Sequence, residues 1–143
     1  MYHVNARDLP GNDVSRTFEG GKHGPCTVSF FLVNNRPGEG PNLHRHAYDE
    51  TFIICEGHYD FRLDGKLLKL GPGDVVFVPR GTPHGFASTG PEVGRQIIIS
   101  SPGGIFDALI AEVTMLDTGS PTRQGSEEAK AIAAKYGLEF LPS

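Results

Sequence analysis

The stretch Gly38–Gly57, GEGPNLHRHAYDETFIICEG, decides the fold. It sets His44 and His46 one residue apart, with the carboxylate of Glu50 four residues on. In a β-strand, residues i and i+2 point to the same face. The spacing therefore predicts His44 and His46 side by side on one strand, with Glu50 joining them if the strand runs on. A second compact stretch, Gly73–Ser88, GDVVFVPRGTPHGFAS, carries His84. Three imidazoles and one carboxylate are a nitrogen and oxygen donor set that suits one divalent transition metal: iron, nickel, manganese, zinc or copper.

These residues also carry a resemblance. Gly38, His44, His46, Glu50 and Gly57 fill the first motif of the cupin family without a gap. Gly73, Pro79, Gly81 and His84 fill the second, with Ser88 standing where the family usually has Asn. The resemblance covers roughly residues 34–100. It implies an all-β fold, a jelly-roll barrel (double-stranded β-helix) with a metal held inside by His44, His46, Glu50 and His84. The tail after residue 100 runs Ser101-Pro102-Gly103-Gly104, then helices, then Lys135-Tyr136-Gly137-Leu138-Glu139-Phe140. It is similar to short bacterial cupins grouped with quercetin 2,3-dioxygenase. That similarity implies a dioxygenase-like oxidoreductase acting on an enol or phenolic small molecule, with Glu50 able to detach and act as catalytic base. The same metal set would equally serve an isomerase, cyclase or lyase without oxygen chemistry, or a binding protein that turns nothing over. The resemblance also implies a homodimer.

Length and composition agree with a single barrel domain. A chain of 143 residues is one domain by size and can bury a core without staples. Its 19 glycines and 11 prolines suit many turns between short strands. The formal charge is −4 with dispersed basic residues, which speaks against a nucleic-acid partner. No apolar run has the length of a membrane span, and the first residues, MYHVNARDLPGND, lack the apolar core of a signal peptide. We expect a cytoplasmic protein with a small-molecule substrate and no membrane partner. Cys26 and Cys55 fit a reducing compartment and read as small buried thiols.

Taken in order, residues 1–25 read as a polar N-terminal arm with a turn at Leu9-Pro10-Gly11, 26–100 as the barrel, and 101–143 as a helical extension. Strands are predicted at Cys26–Asn34, Thr51–Cys55, His58–Leu63, Lys66–Leu70 and Arg95–Ser100, with another beginning at His84. Val75–Val78 reads as a short buried strand. Asp64-Gly65 is a hairpin signal, because a type I′ turn needs positive φ at both central residues. Ile105, Phe106, Leu109, Ile110 and Val113 make an apolar stripe at helical spacing. A second helix is predicted after Ser126 as N-cap, ending near Gly137, before an extended Leu138–Leu141.

Six further residues are pocket candidates. Phe52, Ile54, Phe61 and Phe86 either line the barrel beside the metal or simply fill it. Tyr48 either hydrogen-bonds near the metal or sits on the rim, and Ser88 leaves more room than Asn would. The helix carrying Phe106 and Leu109 either caps the barrel or packs on its outside. Arg62 alternates out of phase with Phe61 and Leu63, so it should face outward, leaving the interior without a cation and suited to a neutral or weakly acidic ligand. His3, His23 and His58 belong to no motif and read as surface residues.

Overall fold

The computed structural model describes residues 5–9, 11–12, 15–18, 28–114 and 127–142. Ten strands and two helices follow in chain order: β1 (Ser15–Phe18), β2 (Ser29–Asn35), β3 (His44–Arg45), β4 (Asp49–Glu56), β5 (Tyr59–Leu63), β6 (Lys66–Leu70), β7 (Val75–Val78), β8 (His84–Ser88), β9 (Gly94–Ser101), α1 (Ile105–Thr114), α2 (Glu127–Lys135) and β10 (Glu139–Phe140). One sheet has the order β1-β2-β9-β4-β7 and the other β10-β3-β8-β5-β6. Every pairing between them is antiparallel. This is the jelly-roll architecture that the turn-rich composition and the motif resemblance imply.

Strand register sorts the interior into three layers. Ser29, Ser100, Glu50 and Val78 are cross-strand neighbours in the first sheet, and they oppose His44 and His84 of the second. Two residues along each strand, Phe31, Ile98, Phe52 and Val76 oppose Phe61 and Phe86. Here ring packs on ring, Phe52 lying 4.9 Å from Phe61 and 5.7 Å from Phe86 between centroids. A third layer holds Ile54 and Gln96 against Tyr59 and Ser88. There the Tyr59 hydroxyl and the Gln96 amide both donate to Asn35 Oδ1, each at 3.1 Å. The aromatic middle layer is thus a dry floor beneath a polar first layer.

Several expectations change. The strand of His44 does not run on to Glu50: β3 ends at Arg45, the chain bends through residues 46–48, and β4 continues in the other sheet. β7 is not buried on both faces. It is an edge strand, with Val76 and Val78 inward while Val75 and Phe77 are 61% and 57% exposed. Cys55 is exposed, because strand alternation puts it on the outer face of β4 with Thr51 and Ile53. The arm contributes β1 to the edge of the first sheet; its sequence, SRTF, has no alternation that would announce a strand. Cys26, Pro10, Ser126, His3 and His23 lie outside the described residues.

Other expectations hold. Asp64 and Gly65 have φ of +48° and +79°, as the hairpin between β5 and β6 requires. Arg62 is exposed, as are Arg80, Arg95 and His58, the last paired with Glu92 at 3.1 Å. α2 closes with a Schellman motif: the Leu138 amide donates to the Ala133 carbonyl and the Gly137 amide to that of Ala134. Glu139 and Phe140 then pair with β3, giving the predicted extended tail a partner. α1 caps the barrel. Its Phe106 ring lies 4.9 Å from the inward Phe31 and 5.8 Å from Tyr48.

Candidate metal centre

The first layer brings the four predicted ligands together. One donor atom from each of His44, His46, Glu50 and His84 lies within 4.8 Å of every other. All four residues are buried, at 0–5% exposure. They converge because two sheets face each other: His44 and His84 are directly opposed on β3 and β8, Glu50 is on β4, and His46 sits in the bend that carries the chain between the sheets.

Backbone carbonyls fix each ring. The Nδ1 atoms of His44, His46 and His84 lie 2.7, 2.8 and 2.9 Å from the carbonyl oxygens of Asn42, Tyr48 and Thr82. A carbonyl only accepts, so each Nδ1 carries a proton and each ring turns its Nε2 inward. This is the outer-shell orientation that metal-binding histidines characteristically have. Sequence reasoning identified the ligands but not these carbonyls, since backbone geometry leaves no mark on residue type.

Two of those nitrogens meet an anion. His46 Nε2 is 2.9 Å and His84 Nε2 is 3.1 Å from the same Glu50 oxygen, Oε2. Lone pairs on nitrogen do not approach a carboxylate oxygen this closely unless a proton or a cation lies between. A divalent cation answers all four donors at once, so the residues fit a metal. Burial pushes the Glu50 carboxyl up, but with a proton on the facing Nε2 atoms the hydrogen bonds from His46 and His84 outweigh it and hold the group at about 2; a cation in place of those protons keeps it anionic in the same way. Burial, and next the neighbouring His84, lower His44 to about 4, which keeps its ring neutral and able to donate its lone pair.

The pocket candidates divide by layer. Tyr48 is not on the rim. It is fully buried, and its ring stacks on His46 at 3.8 Å and 4°. Phe52 and Phe61 come next to the donors, at 5.9 and 6.4 Å from the His84 ring. Phe86 completes the phenyl floor with them. Ile54 and Ser88 are four residues along their strands from Glu50 and His84, roughly 13 Å by strand rise, on the far side of that floor. Ser88 Oγ is buried without a hydrogen-bond partner among the described residues.

Sequence reasoning missed a polar wall beside the donors. Ser29 Oγ donates to Asp107 Oδ2 at 2.8 Å and accepts from the Gly104 amide at 2.9 Å, tying α1 to β2. The available signal was parity: Ser29 and Ser100 are polar residues two positions along from the inward Phe31 and Ile98.

Comparison with known proteins agrees with this geometry. Residues 31–100 match the cupin domain family. An uncharacterized protein of Aquifex aeolicus is 35% identical over 52% of this chain and 60% of its own length. The dimethylsulfoniopropionate lyase DddQ of Ruegeria pomeroyi is 34% identical over 46% of this chain and 33% of its own. Quercetin 2,3-dioxygenase of Bacillus subtilis is 35% identical over 40% and 18%. The match thus spans at most 60% of these relatives. Among solved structures, the polyketide cyclase RemF of Streptomyces resistomycificus superposes with a TM-score of 0.59 at 22% identity, covering 71% of this chain and 79% of its own. Motifs, sheet topology, the buried donor set and these matches agree: residues 31–100, just under half of the chain, form a cupin domain.

Proposed function

We propose that this chain is a metal-dependent enzyme with dioxygenase-like chemistry on a small enolic or phenolic substrate. The observation that carries the reading is the convergence of three inward Nε2 atoms and one anionic carboxylate, each ring tethered through Nδ1. A bound divalent ion would supply Lewis acidity, making an enol or phenol hydroxyl more acidic. The protein's own groups do the rest. Glu50 faces the same point and accepts the proton that such a hydroxyl gives up. Phe52, Phe61 and Phe86 form an apolar floor that seats a ring and excludes water. Among the described residues no Lys or Arg is buried, which favours a neutral ligand over an acid.

The similarity to quercetin 2,3-dioxygenase supports oxygen chemistry. The similarity to a lyase supports the second reading, an isomerase, cyclase or lyase in which the same site stabilises an enolate without oxygen. Oxygen uptake by iron-, nickel- or manganese-loaded protein, measured across flavonols, 1,3-diketones and catechols, separates the two. Substrate-dependent uptake is the expected result. Turnover that persists under nitrogen, or with zinc, selects the second reading. A small molecule that copurifies and is never transformed would make the protein a binding module instead.

A further inference from the structure

The four donor residues are at most 5% exposed, so a small molecule reaches them only when a covering element moves. α1 lies on one side of them, its Phe106 against Phe31 and against Tyr48, which stacks on His46, and its Asp107 tied to Ser29. Beneath it lie three buried polar atoms with no hydrogen-bond partner among the described residues: Tyr48 Oη, Ser100 Oγ and Asp107 Oδ1. Register puts them in one neighbourhood. Ser100 stands between Ser29 and Glu50 in a single inward row. Strands are about 4.8 Å apart, so Asp107, held over Ser29, stands roughly 10 Å from Glu50, across Ser100. Tyr48 joins them from the bend: its ring stacks on His46 and lies 5.8 Å from that of Phe106, the residue before Asp107.

Buried polar atoms are normally paired. Three unpaired ones beside a metal-donor set make a complementary trio: a phenol that donates, a carboxylate oxygen that accepts, and a serine that does either. A hydroxyl, which both donates and accepts, satisfies that trio. We propose that Tyr48, Ser100 and Asp107 form a subsite for a second hydroxyl of the substrate, and that α1 lifts to admit it. The proposal rests on the metal-enzyme reading above and narrows it to a neutral ring with hydroxyls on opposite edges, one toward the metal donors and one toward Asp107. Ser29 is the latch of α1. Gly104 at the foot of the helix has φ of +95°, a conformation open to glycine at little cost, and forms the hinge.

The test is equilibrium binding of phenol and of hydroquinone to zinc-loaded and zinc-free protein under nitrogen. We expect the wild-type chain to hold hydroquinone at least tenfold more tightly than phenol. Asp107→Asn and Ser100→Ala should bring that ratio below threefold. Ser29→Ala frees the latch but keeps both atoms, so it should preserve the ratio while speeding association. A wild-type ratio near one overturns the proposal. So does an equal fall in Asp107→Asn and Ser29→Ala, which would make Asp107 a tether only. If Asp107→Asn does not fold, Ser100→Ala decides. Zinc content tests the metal reading separately: protein that binds no zinc yet keeps its ratio removes that reading and leaves the subsite standing.

Discussion

His84 is the residue on which the centre turns, because it is fully buried and shares Glu50 Oε2 with His46. Freshly purified protein should carry about one equivalent of divalent metal per chain, and His84→Ala should lose most of it, because affinity depends on the full ligand set. Elemental analysis of both proteins checks this. The motif glycines make a second prediction at this scale. Gly57 and Gly73 both have positive φ, +76° and +92°. A Cβ on Gly57 would lie 2.7 Å from the Gly94 Cα, whereas one on Gly73 meets nothing within 4 Å. Gly73→Ala should therefore cost only the left-handed strain, about 1–2 kcal/mol. Gly57→Ala should cost clearly more, because β4 must also shift against β9. Urea unfolding of the two variants would order them. The ligands were legible in the sequence because metal chemistry selects side chains by type. Their tethers were not, since any residue at positions 42, 48 or 82 supplies the same carbonyl.

At the scale of elements, legibility followed local chemistry. The β5–β6 hairpin was readable because Asp64-Gly65 fixes its own turn, and α1 because five apolar residues share one stripe. β1 and the break after β3 were not readable, since both are set by pairing and not by their own residues: β1 adds to the edge of β2, and the break after β3 depends on β8 and β10, far along the chain. β7 misled because VVFV is continuously apolar, yet only its inward half meets the core. This asymmetry is measurable. Phe77→Thr on the outer face should change stability by no more than about 0.5 kcal/mol. Phe52→Ala, which removes a ring from the centre of the phenyl layer, should cost about 3–5 kcal/mol. A result in which the two are equal would place Phe77 in a contact that the isolated barrel does not have.

At the scale of the molecule, the donor set joins two sheets that elsewhere meet through apolar packing and the Tyr59–Asn35 hydrogen bond. His44 and His84 belong to one, Glu50 to the other. An ion bound only by the folded form stabilises it by mass action, about 2.7 kcal/mol at a hundredfold excess over Kd, which for a domain of this size is roughly 10 °C in Tm. Thermal melts with and without added nickel or zinc should show that rise in wild-type protein and much less in Glu50→Gln. A chelator should reverse it. A rise of equal size in Glu50→Gln would mean that the metal acts elsewhere.

β10 gives the molecule a timetable. The pair that presents His44 is flanked on one edge by His84 and on the other by Phe140, and the Leu141 amide is bonded to the Leu43 carbonyl at 2.9 Å. On the ribosome, the first sheet can assemble as soon as Ser101 has emerged, but the histidine-bearing ribbon waits some forty residues longer for its outer neighbour. A metal held by His44 would therefore load only once β10 has reached the barrel.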